Sequence, residues 1–116
     1  MNIRLLTPAD YPKIYTLWRQ TPGMGLNNLD DSPEGITRYL QRNPSTCFAA
    51  EEEGELEGVI LSGHDGRRGF IYHLAVAETK QRRGIGSALL QAALQALRAE
   101  GIHKAALLVM ADNAAG

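Results

Sequence analysis

Along this chain the spacing of apolar residues switches between steps of two and steps of three or four, and each switch marks an element boundary. Residues 2–6 read as a short strand closed by Thr7-Pro8. Thr7 predicts a helix cap, with Pro8 at the first helical position where a missing N–H is harmless. Tyr11, Ile14, Leu17 and Trp18 follow at helical steps and give one apolar stripe to about residue 20. The turn formers of Thr21-Pro22-Gly23-Met24-Gly25-Leu26-Asn27-Asn28 break that helix. Ser32-Pro33-Glu34 starts another, with Ser32 as cap and an acid at the positive end of the dipole. Ile36, Tyr39 and Leu40 give it a face.

Thr46 to Glu51 and Leu56 to Ser62 read as two strands joined around Glu53-Gly54. Asp65-Gly66 forms the next turn, where an Asx-type hydrogen bond from Asp65 and a substrate contact by His64 or Asp65 are both open. A strand from Phe70 to Val76 follows. Ile85, Leu89, Ala92, Ala93, Ala96 and Leu97 then recur at helical steps, predicting a long amphipathic helix to about Glu100 with Gly101 beyond its end. Lys104 to Met110 is a fifth, largely apolar strand, which requires cover on both faces. The order is β-α-α-β-β-β-α-β.

Composition narrows the picture. The chain has 116 residues, enough for one domain, 1–116, and not two. A net charge of −1 gives no broad basic field, so nucleic acid is not expected as a partner. No apolar run is long enough to span a bilayer, and no membrane partner is expected. Cys47 is the only cysteine, which excludes an intrachain disulfide and suits the cytoplasm. The three histidines, 64, 73 and 103, lack metal-ligand spacing, so no metal site is expected.

The chemistry concentrates in Leu74-Ala75-Val76 and the segment that follows, Gln81-Arg82-Arg83-Gly84-Ile85-Gly86-Ser87. Two glycines let the main chain approach a ligand closely. The first N–H groups of the helix opening here lack intrahelical acceptors and lie at its positive end. Two guanidinium groups add forked donors, so the turn suits a diphosphate. A P-loop would need Lys after the second glycine, where Ser87 stands, and a dinucleotide fingerprint would need a third glycine where Leu89 stands. A glycine-rich turn that merely opens a helix is the plainer alternative.

Gln81-x-x-Gly84-x-Gly86 after an apolar strand resembles the acetyl-CoA loop, Gln/Arg-x-x-Gly-x-Gly/Ala, of the GNAT superfamily of N-acetyltransferases. The resemblance implies an α/β (α+β) fold: a mixed, mostly antiparallel twisted sheet flanked by helices, in the order read above. It implies acetyl-CoA as acetyl donor, bound by residues 81–87 and by the main chain of Leu74, Ala75 and Val76, where the family's fourth strand bulges and splays. Asn113, in Asp112-Asn113-Ala114-Ala115, matches a family segment that touches the pantetheine arm. Met24, Leu26 and Asn27, between the first two helices, are candidate contacts to the acceptor amine, a mobile surface loop being the alternative. The family's closing helix and last two strands have no counterpart here. That leaves the fifth strand as an apolar edge and predicts a homodimer or larger assembly covering Leu107-Leu108-Val109.

Amine acetylation needs a neutral amine, a positioned thioester, donors for the developing oxyanion and a proton for the departing thiolate. Counting back from Val76, the family's positions for a proton-transfer group hold Tyr72 and Phe70, and only Tyr72 can move a proton. His73 has suitable chemistry, but strict alternation places it on the opposite face of the strand from Tyr72. The catalytic candidates are therefore Tyr72 and His73, acting on a small-molecule or protein amine. A GNAT-like module that holds CoA without turnover is the alternative.

Overall fold

The computed structural model describes residues 1–21, 31–77 and 84–107. Five strands form one sheet in sequence order: β1 (Asn2–Leu5), β2 (Phe48–Glu52), β3 (Glu55–His64), β4 (Gly69–Val76) and β5 (Ala105–Leu107). The first four pair antiparallel and β5 joins β4 in parallel, which requires a crossover. That crossover contains α3 (Ile85–Ala99), which lies on one face of the sheet; α1 (Tyr11–Arg19) and α2 (Pro33–Arg42) lie on the other.

Each face has its own core. Ile14, Leu17 and Trp18 of α1 and Ile36 and Leu40 of α2 pack on Ala49, Val59, Leu61 and Ala75. Ile85, Leu89 and Ala93 of α3 pack on Ala50, Ile60 and Ile71. The helical stripes predicted from spacing are the ones buried. Ser32 caps α2 as expected, its Oγ accepting from the Gly35 N–H at 3.0 Å. Gly101, at φ +87°, ends α3, and Ile102 N–H returns to the Leu97 carbonyl at 2.9 Å. Glu53 and Gly54, at φ 52° and 78°, make the tight turn between β2 and β3.

Thr7 is the cap, with Pro8 at the first position as expected, but what it opens is a short 3-10 turn. Pro8–Asp10 form a 3-10 turn ahead of α1, and Thr7 N–H donates to Asp10 Oδ2 at 2.9 Å. Asp10 is drawn inward by Arg4 on β1, whose two terminal nitrogens each reach one of its oxygens at 2.9 Å. Arg4 also donates to Glu51 on β2 at 3.0 Å, so one guanidinium ties the start of the helical layer to two strands. Its hydrogen bonds hold the Asp10 carboxyl below the ordinary value.

How closely α3 sits on the sheet depends on two missing side chains. A Cβ on Gly58 would lie 2.9 Å from Leu89 Cδ1 and 3.1 Å from the Ala75 carbonyl oxygen. One on Gly69 would lie 2.8 Å from Leu97 Cδ1. Hydrogen at both positions lets the helix descend onto β3 and β4.

Gly58→Ala should therefore destabilise the fold by about 1–3 kcal/mol through overpacking, read from the midpoint of urea denaturation. The Asp10 contribution should be complete above a pH of about 4, the range of the unfolded carboxyl, and fade as pH falls through its depressed folded value. Arg4→Met should weaken that acid-side dependence, leaving the part that the Thr7 hydrogen bonds supply.

Candidate functional site

β4 carries one residue more than β3 can pair. Val59 faces Ala75 and Leu61 faces Tyr72, so Ile60 alone stands opposite His73 and Leu74. His73 absorbs the extra length with φ 47°, in the left-handed region that such bulges usually give to glycine.

This bulge reverses the strand's alternation. Ahead of it, Ile71 packs under α3 and Tyr72 packs with the α1/α2 core. Beyond it, Leu74 and Val76 lie under α3, and Ala75 lies with the α1/α2 core. His73 is placed on the same face as Tyr72, which corrects the expectation from strict alternation. Its ring meets Trp18 of α1 edge-on, with centroids 4.8 Å apart, while the Tyr72 ring meets Tyr39 of α2 at 5.8 Å. Tyr72 and His73 are thus brought together on one surface. Beside Tyr72 opens a groove of about 250 Å³, bounded by Tyr39, Arg42, His64, Asp65 and Phe70 among others. Burial pushes the Tyr39 phenol well above its ordinary value, so it stays protonated.

The main chain switches as well. Gly69 N–H donates toward β5, to the Lys104 carbonyl at 2.7 Å, whereas Ala77 N–H donates toward β3, to Glu57 at 2.8 Å. Both are odd-numbered, so the inserted residue has exchanged the sides. Beyond the bulge the main-chain groups of Leu74 and Val76 face the β5 side. Among the described residues, β4 and β5 pair from Gly69↔Ala105 to Ile71↔Leu107.

Next to this end of β4 begins α3. Gly84 caps it at φ +79°, and its carbonyl accepts the first helical bond, from Ala88 N–H at 3.0 Å. No neighbouring heavy atom among the described residues lies within 4 Å of where a Gly84 Cβ would sit, and a Gly86 Cβ would meet only Val76 Cγ2, at 3.7 Å. Ser87 is exposed, whereas Ile85 is core. Helix-opening N–H groups at a turn left uncrowded by the described residues fit an anion such as a diphosphate, which makes the fit to the expected coenzyme a favourable one. Gln81, Arg82, Arg83, Asn113, Met24, Leu26 and Asn27 lie outside the described residues.

The family model described as the acetyltransferase (GNAT) family matches residues 11–116. The chain belongs to the GNAT acetyltransferases. An acetyltransferase of Sodalis glossinidius is 36% identical over 113 residues, spanning 97% of this chain and 78% of that protein. One from Photorhabdus laumondii is 37% identical over 114 residues, with 97% and 78% covered. The PaiA N-acetyltransferase of Thermoplasma acidophilum, solved in complex with coenzyme A, aligns with a TM-score of 0.82 at 19% identity, over 100% of this chain and 84% of that one. At that identity it supports the fold alone. The mixed five-stranded sheet and its flanking helices are those of a GNAT domain.

Sequence reasoning missed one polar group in this GNAT domain's site. Asp31, only 3% exposed, places Oδ1 2.7 Å from His73 Nε2. Its signal was faint: an acid just before the Ser32-Pro33 cap reads as ordinary helix-opening chemistry. His64 and Asp65 are accounted for locally. Asp65 Oδ1 accepts from the Arg67 and Arg68 N–H groups at 2.9 Å, which is the Asx arrangement, and His64 Nε2 lies 2.9 Å from Glu100 Oε1.

A left-handed backbone at His73 penalises β-branched residues most and asparagine least. His73→Val should be less stable than His73→Asn by about 1–2 kcal/mol, the left-handed penalty, with equal loss of the imidazole in both. Paired urea denaturation curves measure the difference.

Proposed function

We propose that this protein is an N-acetyltransferase that moves an acetyl group from acetyl-CoA to a primary amine by direct attack on the thioester. The observation that carries this reading is one juxtaposition. The glycine-opened start of α3 lies against the end of β4 whose main chain the bulge has turned toward β5. Within it, the N–H groups at Ile85, Gly86 and Ser87, with Gln81, Arg82 and Arg83, hold the diphosphate. The main chain of Leu74 and Val76, flanking an Ala75 paired with Val59, and the side chain of Asn113 hold the pantetheine arm.

The acceptor approaches over the face that carries Tyr72 and His73, with Met24, Leu26 and Asn27 as further contacts. His73 accepts the amine's proton as the new N–C bond forms, and backbone N–H groups of β4 stabilise the oxyanion. The C–S bond then breaks, and Tyr72 supplies or relays the proton that the thiolate takes up. The acceptor is an amine of a small molecule or of a protein. No helix of the described residues is long and apolar enough to cross a membrane, and a cytoplasmic enzyme fits the single buried thiol of Cys47, whose burial pushes its pKa up to about 11. The sheet order leaves β5 at an edge among the described strands, where a second copy would pair.

Gly86→Val tests the coenzyme site, with urea denaturation of the same variant as the check on folding, since a Cβ there meets Val76 Cγ2 at an ordinary 3.7 Å. The variant should denature within about 1 kcal/mol of the parent, as for a surface change, yet bind acetyl-CoA at least about ten-fold more weakly by calorimetry. Unchanged affinity would count against the coenzyme site. Steady release of free thiol with an amine panel is expected of the parent; binding without release would indicate a CoA-holding module instead.

A further inference from the structure

We propose that Asp31 is a positioning residue that fixes His73 as the proton acceptor of the reaction. The inference rests on the proposed role of His73, and concerns what makes that role possible.

The His73 ring is held from two directions. Asp31 Oδ1 lies 2.7 Å from Nε2, a short contact for a nitrogen donor and a carboxylate oxygen. Trp18, itself buried, meets the ring at 61° with centroids 4.8 Å apart. A third restraint is the backbone, since the left-handed conformation at φ 47° aims the side chain toward α1 and α2. Asp31 is anchored in turn: its carbonyl accepts from Tyr11 Oη at 2.5 Å, and the next residue, Ser32, caps α2. The carboxylate therefore sits at a point fixed by both helices, while the imidazole sits at the point where β4 departs from regular pairing.

A carboxylate is an acceptor only, so the ring nitrogen it meets must carry the proton. The neutral imidazole is then held with hydrogen on Nε2, and the lone pair belongs to Nδ1. Nδ1 is the nitrogen left to take the proton that the amine releases as its N–C bond forms. About a fifth of the His73 side chain remains exposed, on a ring that lies on the same sheet face as Tyr72. When the proton arrives at Nδ1, the imidazolium keeps its bond to Asp31 and gains a buried opposite charge. The carboxylate does not take the proton itself; it selects the tautomer and stabilises the product of the transfer.

The test uses the full chain labelled with nitrogen-15 in histidine. At alkaline pH, where imidazole is neutral, two-bond proton–nitrogen correlations should show His73 with hydrogen on Nε2. Asp31→Asn can donate to Nε2 and so favour the other tautomer; kcat should fall about 10- to 100-fold, with KM for acetyl-CoA and amine within about three-fold. His73→Gln should lose activity to a similar extent. A parent ring protonated on Nδ1 would overturn the inference, and this measurement stands even if Asp31→Asn fails to fold. Loss of turnover in His73→Gln with none in Asp31→Asn would remove the positioning role and leave His73 as the base. Full turnover in both would remove the base, and the positioning role with it.

Discussion

One unpaired residue in β4 governs the working face of this molecule. Its insertion opposite Ile60 changes which side chains and which main-chain groups each side of the strand receives. With unbroken alternation, His73 would share a face with Ile71, under α3, and Leu74 and Val76 would face the other helices. The bulge instead sends the two large aliphatic residues beneath α3 and presents an imidazole to α1 and α2. It also turns the peptide groups of Leu74 and Val76 toward β5. A left-handed residue other than glycine costs about 1–2 kcal/mol. The Asp31 hydrogen bond and the Trp18 contact are interactions available to histidine and not to glycine, and they offset that cost.

The bulge matters only because α3 begins beside it, and that depends on close packing along the helix. Gly58 and Gly69 remove the side chains that would lift α3 away from the sheet, at points facing Leu89 and Leu97. Leu74 and Val76 then fill the space under its first turns. The same shift that serves the site therefore supplies packing for the helix whose opening turn completes it. Strand, bulge and helix N-terminus form a single arrangement, and a change in any one displaces the others.

The sequence revealed the elements well and their local geometry poorly, for physical reasons that differ by residue. Helical stripes such as Ile14-Leu17-Trp18 and Ile85-Leu89-Ala93 were legible because burial on one face writes itself into spacing. Ser32 and Gly101 were legible because their caps require particular side chains or none. The bulge was expected from the family resemblance alone and not from the pattern, because residues 70–76 are mostly apolar on both faces of a covered strand. Where both sides are buried, a reversal of alternation leaves no trace in the pattern. Thr7 was legible as a cap, whereas the 3-10 turn it opens was not, since Asp10 engages both the Thr7 backbone and the distant Arg4.

Asp31 was illegible in a deeper sense. It lies 42 residues from His73, and nothing local distinguishes it from an acid at a helix start. What gives it meaning is the left-handed turn of the partner, itself unreadable from alternation. Two features invisible one at a time become a defined pair only when the helices close over the sheet. The same closure explains why the pair is fixed in direction. Tyr11 and the Ser32 cap hold the Asp31 main chain between α1 and α2, while the bulge holds His73 from the sheet. On the proposed mechanism, the proton acceptor takes its orientation from the packing of the whole domain.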